Sequence, residues 1–106
     1  MIVVHLYYSG TDGNARRFAA EMESRGIADA IRNEDGNLGY RYFQPLDDPE
    51  TVLLIDRWRD QGALDAHHAS PMMAQIAALR ETYDLHMKAE RYVDDALGKD
   101  ERFIRR

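Results

Sequence analysis

The run Thr51–Trp58, TVLLIDRW, constrains this chain more than any other segment. It is the most apolar strand-like stretch, which suits a place inside a sheet with a neighbour on each edge. It also sets Asp56 among apolar residues, where a carboxylate must find partners, and puts Trp58 on the same face two residues later. Three more runs read as strands: Ile2–Ser9, rich in Val, Ile and Tyr and ending at Ser9-Gly10; Leu38–Gln44; and Leu85–Val93. In the first, Ile2, Val4, Leu6 and Tyr8 share one face, and Val3, His5, Tyr7 and Ser9 the other.

The segments between them carry helical periodicity. Asn14 is expected to cap a helix running to about Asn33, with Ala15, Phe18, Ala19 and Met22, then Ile27, Ala30 and Ile31, along its apolar stripe. Gly26 lies where that stripe changes phase. Glu34-Asp35-Gly36-Asn37 is turn chemistry, and Pro45 to Pro49 makes a tight polar connection. Asp60 caps a short helix through His68. Ser70 as cap, with Pro71 at the first helical position, opens another on which Met72, Ile76, Leu79 and Tyr83 recur at helical spacing. Residues 94–106 are polar and read as a C-terminal arm or frayed tail, leaving residues 1–93 as the domain.

The order is β-α-β-β-α-β with the second helical region broken in two. It predicts an α+β fold, the ferredoxin-like split βαβ with an antiparallel sheet, whose first and third strands lie side by side in the middle. Helices cover only one face of such a sheet. With 106 residues, 44% of them hydrophobic, the core is thin, and a second copy of the chain is the expected cover for the other face: a homodimer.

Several function classes are excluded. The formal charge of −5 argues against nucleic acid, which needs a basic footprint. No apolar run approaches the ~18 residues of a membrane span, and MIVVHLYYSG lacks the basic start of a signal peptide. The absence of cysteine removes disulfides, thiol catalysis and iron–sulfur clusters, and makes a cytoplasmic address the default. Four scattered histidines without an i,i+4 pair offer no metal set, and no Gly-rich loop follows a strand to hold a nucleotide. No cofactor is expected.

One set of short motifs resembles a known family. Glu34-Asp35-Gly36-Asn37-Leu38 leading to Tyr40, then Asp56-Arg57-Trp58, then Ala63-Leu64-Asp65-Ala66-His67, then Ser70-Pro71, stand in the order and separation of the antibiotic biosynthesis monooxygenase family. The resemblance covers roughly residues 1–93 and implies a dimeric α+β barrel, similar to quinol monooxygenases. Its members differ in chemistry: some oxygenate polycyclic phenols or anthrones without metal or flavin, some isomerise a small phosphorylated sugar signal, and others degrade haem. The haem branch uses an Asn on the first strand, a Trp on the short helix and a His on the next helix. The matching positions here hold Leu6 or Tyr7, His67 and Ala77, so haem is not expected. A histidine often follows the family's Ser-Pro pair, whereas Met72 stands there in this chain.

The resemblance implies a cofactor-independent monooxygenase that oxidises a quinol-like or polyphenolic molecule with dioxygen. Such a reaction needs a base to form the phenolate, because the anion is the species that gives an electron to dioxygen. Histidine titrates in the useful range. His67 is the candidate base, or alternatively His68, which lies about 100° around the same helix and is not expected to share a target with it. Asp56 would orient a partner. Trp58, Tyr40, Tyr7 and Met72 are the candidate substrate-binding residues, supplying ring surface, donors and a soft wall. The same pocket suits keto–enol isomerisation of a small hydroxycarbonyl, or a dimer that binds a small aromatic or carbonyl ligand without turnover. Each residue also has an ordinary structural role: His67 as a capping or surface residue, Trp58 as core, and Asp56 in an ion pair with Arg41, Arg57 or Arg91.

Overall fold

The computed structural model describes residues 1–106. Four strands, β1 (Ile2–Ser9), β2 (Asn37–Phe43), β3 (Thr51–Trp58) and β4 (His86–Val93), form one antiparallel sheet in the order β2-β3-β1-β4. The helices are α1 (Asn14–Ser24), α2 (Ile27–Arg32), α3 (Gln61–His68) and α4 (Met72–Thr82), and a 3₁₀ turn spans Gly98–Phe103. This is the split βαβ arrangement, with the first and third strands central.

Strand pairing decides which residues reach the helices. Val4 stands opposite both Asp56 and Arg91, Leu6 opposite Leu54 and Ala89, and Tyr40 opposite Asp56. Directly paired residues share a face. The even-numbered positions of β1 and β3 and the odd-numbered positions of β4, with Tyr40 and Tyr42 of β2, therefore lie under the helices. Trp58, Tyr8, Phe18, Met22, Ile31 and Leu54 are its fully buried large side chains. The opposite face carries Val3, His5, Leu53 and Ile55 half-buried and Phe43 and Tyr92 exposed.

Three local expectations are corrected. The helix expected over 14–33 is two helices. Gly26 takes φ 77°; the amides of Arg25 and Gly26 close α1 on Glu21 and Glu23, and the Gly26 carbonyl opens α2 by accepting from Ala30. The left-handed conformation costs glycine nothing, so the change of phase is a break. Asn14 is not a side-chain cap: Gly13 occupies that position, and the Asn14 amide reaches across to donate to the Tyr83 carbonyl. Ser70 does not cap α4. Its hydroxyl is buried without a partner, and Pro71, with φ −61°, holds the cap position. Asp60 does cap α3, its Oδ1 accepting from the Ala63 amide at 2.9 Å.

Gly36 sets how the turn before β2 meets α3. Its φ is 83°, and a Cβ there would lie 2.4 Å from the Ala63 Cβ. Its carbonyl accepts from the Arg59 amide at 2.8 Å. Only glycine permits both the conformation and the approach, and the approach carries Glu34 onto the side of α3.

Candidate active site

On α3, Ala63, Leu64 and His67 form the buried face at i, i+1 and i+4. His67 is 5% exposed. Its ring lies over the Trp58 indole, and its Nδ1 stands 3.0 Å and 3.2 Å from the two Glu34 carboxylate oxygens. A carboxylate only accepts, so Nδ1 carries a proton and, in the neutral ring, Nε2 is the basic nitrogen.

His67 forms part of the wall of a hollow of about 250 Å³ between the helix-covered sheet face and the α3–α4 pair. Val4, Leu6, Leu54 and Ala89 supply its strand side, and Leu64, Met73 and Ile76 its helix side. The lining is mostly apolar, as a pocket for an organic ring requires. Its polar groups are His67, His68, Asp56, Tyr40, Tyr8 and Arg80.

Asp56 is 5% exposed, in the middle of β3. None of Arg41, Arg57 and Arg91 pairs with it. Arg57 donates to the Leu38 carbonyl and Arg91 to Gln61, while Asp56 accepts from the Asn37 amide at 3.3 Å. Burial raises its pKa from 3.8 to about 6. The nearby Trp58 indole N–H and the His67 ring favour the anion and limit the rise, although the indole nitrogen meets no hydrogen-bond geometry. Tyr40 and Tyr42 share a hydroxyl–hydroxyl contact of 3.0 Å, and burial pushes both phenols well above their ordinary value. Burial also pushes Tyr8 up to about 12, against the pull of the Arg80 charge.

Residues 1–79 match the family described as antibiotic biosynthesis monooxygenase. The chain belongs to that family. It is 26% identical over 68 residues to the putative monooxygenase YcnE of Bacillus subtilis, a match that covers 64% of this chain and 70% of YcnE. Its fold is similar to the crystal structure of a putative antibiotic biosynthesis monooxygenase from Deinococcus radiodurans, with a TM-score of 0.78 and 26% identity over 91% of this chain and 94% of that one. SnoaB from Streptomyces nogalater, a cofactor-independent oxygenase, shares the fold at a TM-score of 0.71 and 11% identity, over 92% of this chain and 96% of its own. No helix of this family member is long and apolar enough to cross a membrane.

Within this antibiotic biosynthesis monooxygenase family fold, the candidate residues separate. His67, His68, Asp56 and Tyr40 line one hollow. The two histidine rings lie 5.6 Å apart and both reach it, contrary to the expectation from their angular separation. His68 is exposed overall and stands at the rim. Trp58 does not line the hollow. It is wholly buried behind His67 and bears on the cavity from behind, through that ring and through Asp56. Tyr7 is not brought to the hollow either: odd positions of β1 face the other side of the sheet, where Tyr7 borders a shallow groove with Ser9 and Lys88. Met72 borders an outer crevice beside Glu34, and Met73 takes the inner position.

Met73, expected beside Met72 in the soft wall, is the one of the pair that lines the hollow. Three further residues belong to the site. Tyr8 was legible, since it shares a strand face with Leu6. Arg80 follows Ile76 at helical spacing. Glu34 had no local signal beyond turn composition.

Proposed function

We propose that the protein is a cofactor-independent monooxygenase of a small quinol-like or phenolic ring, with His67 as the base. The observation that carries this reading is the buried imidazole held by Glu34 at 3.0 Å and facing a mostly apolar hollow. Membership of the family supports it, and SnoaB, of the same fold, is a cofactor-independent oxygenase.

His67 Nε2 takes the phenolic proton. The phenolate passes an electron to dioxygen, and recombination of the radical pair forms a carbon–oxygen bond. The peroxide anion so formed takes back the proton held on His67, and the hydroperoxide then loses water as its O–O bond breaks and the same ring carbon gives up its hydrogen, leaving a ring carbonyl. One oxygen atom of O₂ stays on the ring and the other leaves as water; the ring is the only reductant. Positioned general-base catalysis is worth about 10²–10⁴ in rate, and an apolar surround keeps the phenolate–imidazolium pair close. Asp56 and Tyr40 lie within the same lining to hold a ring hydroxyl.

A second copy of the chain belongs to this reading. The sheet face opposite the helices carries half-buried Leu53 and Ile55 and exposed Phe43, a surface suited to an isologous contact in a homodimer.

The test is oxygen uptake by metal-free protein offered hydroquinones, anthrones and hydroxyketones, in air and under argon. Air-dependent consumption with ring oxygenation, lowered about 100-fold or more in His67→Ala, is the expected result. Rearrangement of a hydroxyketone under argon would replace oxygenation by isomerisation, a reaction for which His67 and Asp56 offer two proton-transfer groups on one hollow. Full oxygen uptake in His67→Ala would remove the base assignment.

A further inference from the structure

Arg80, in the last turn of α4, lines the hollow, yet no carboxylate pairs with it. Its side-chain partner is the Met87 thioether, a weak acceptor. Tyr8 is 1% exposed and lines the same hollow, and its hydroxyl makes no hydrogen bond to the protein. The hydroxyl of a nearly buried tyrosine and a half-buried guanidinium thus open onto one apolar lining, neither with a charged partner in the protein, and a polar group left unpaired in such a place is costly. The two line one small hollow together, Tyr8 from the sheet and Arg80 from α4. A phenol this deeply buried stays neutral and keeps its O–H to donate. One anion placed between them would satisfy both groups.

We propose that Tyr8 and Arg80 form an oxyanion subsite that binds a carboxylate carried on the substrate ring. A guanidinium fork matches the planar carboxylate by two parallel hydrogen bonds, and the Tyr8 hydroxyl supplies a third donor. The volume of about 250 Å³ is small for a ligand pocket. It suits a compact ring acid over a ring bearing a bulky phosphoester. The remaining polar lining, His67, Asp56 and Tyr40, is left for the ring hydroxyls. The substrate class is thereby narrowed from phenols to carboxylated phenols. The inference rests on the quinol reading for the ring but not for the anion.

Calorimetric titration under argon tests it without turnover. The probes are gentisate, a hydroquinone bearing a carboxylate, and gentisamide, its neutral analogue of the same shape. The wild-type protein is expected to bind gentisate about tenfold to a hundredfold more tightly, the range of charge-assisted hydrogen bonds. Arg80→Gln should abolish that preference while leaving gentisamide affinity within about twofold, which also reports an intact hollow. Arg80→Lys should keep part of the preference and Tyr8→Phe should narrow it. Equal binding of the two probes, no binding of gentisate, or a full preference surviving in Arg80→Gln or Tyr8→Phe would overturn the subsite. Oxygen uptake from plain hydroquinone without any carboxylate preference would overturn the subsite alone. A carboxylate preference with no oxygen uptake from any quinol would leave the subsite standing and remove the oxygenase reading.

Discussion

The His67 ring lies over the Trp58 indole, 27° from parallel, with ring centroids 4.8 Å apart. Trp58 is the chain's single tryptophan, so its emission reports on one imidazole. An imidazole stacked on an indole alters its emission, so at one fixed pH the emission is expected to change in His67→Gln and to keep its wild-type value in His68→Gln. Emission unchanged in His67→Gln would disconnect the two rings.

Asp56 gives stability a pH dependence of opposite sign to the usual carboxylate. Its pKa rises from 3.8 to about 6 on folding, so the folded state holds the proton more tightly. Its contribution is fully present below pH 3.8 and is lost as pH climbs through about 6. Above that, the charged carboxylate costs about 2–3 kcal/mol. Asp56→Asn keeps an oxygen to accept from Asn37 and should be more stable than wild type at pH 8 by that order. At pH 4 the two should match. Urea denaturation at both values checks this; equal differences at both would show that Asp56 is not the group responsible.

Glu34 positions His67 and touches no substrate in the proposed reaction. Glu34→Gln is expected to lower kcat by about tenfold to a hundredfold with KM changed less than about twofold, and Glu34→Asp should recover part of the loss. A matching rise in KM would instead mean that Glu34 shapes the hollow.

Gly36→Ala tests how that contact is built. The new methyl would meet Ala63 and must sit at φ 83°, which predicts a loss of about 1–3 kcal/mol together with the kcat defect of the Glu34 variants. Thermal unfolding and steady-state kinetics read the two effects separately. Wild-type behaviour in both would mean the turn tolerates a Cβ.

Light scattering addresses the uncovered sheet face. A mass of two chains is expected for wild type, and Ile55→Asp should give one chain with its helix signal intact. A single-chain mass for the wild type would remove the proposed homodimer.

The strands were legible because alternation and apolar content are local. The alternating runs Thr51–Trp58 and Ile2–Ser9 coincide with β3 and β1 to the residue. The break at Gly26 was visible only as a phase change, since a glycine inside a helical stripe can equally be tolerated. Within the site, Asp56 and His67 stood out as polar groups in apolar patterns. Glu34 did not, because its partner lies 33 residues away and only the Gly36–Ala63 approach joins them. Tyr7 and Met72 lie on the sides of β1 and α4 turned away from the hollow, and alternation along a strand does not by itself say which face the helices cover. Arg80 carries no distinguishing mark in the sequence, because a cation near a helix C-terminus is ordinary on a surface.

Glu34 borders the open crevice outside α3, while the ring it holds borders the hollow within. The imidazole is thus a partition, its ring bordering the inner compartment and its Nδ1 held by a carboxylate that borders the outer one. In the proposed reaction that carboxylate offers a route for protons to bulk water while an organic molecule fills the interior, so the interior would not have to be wetted between turnovers.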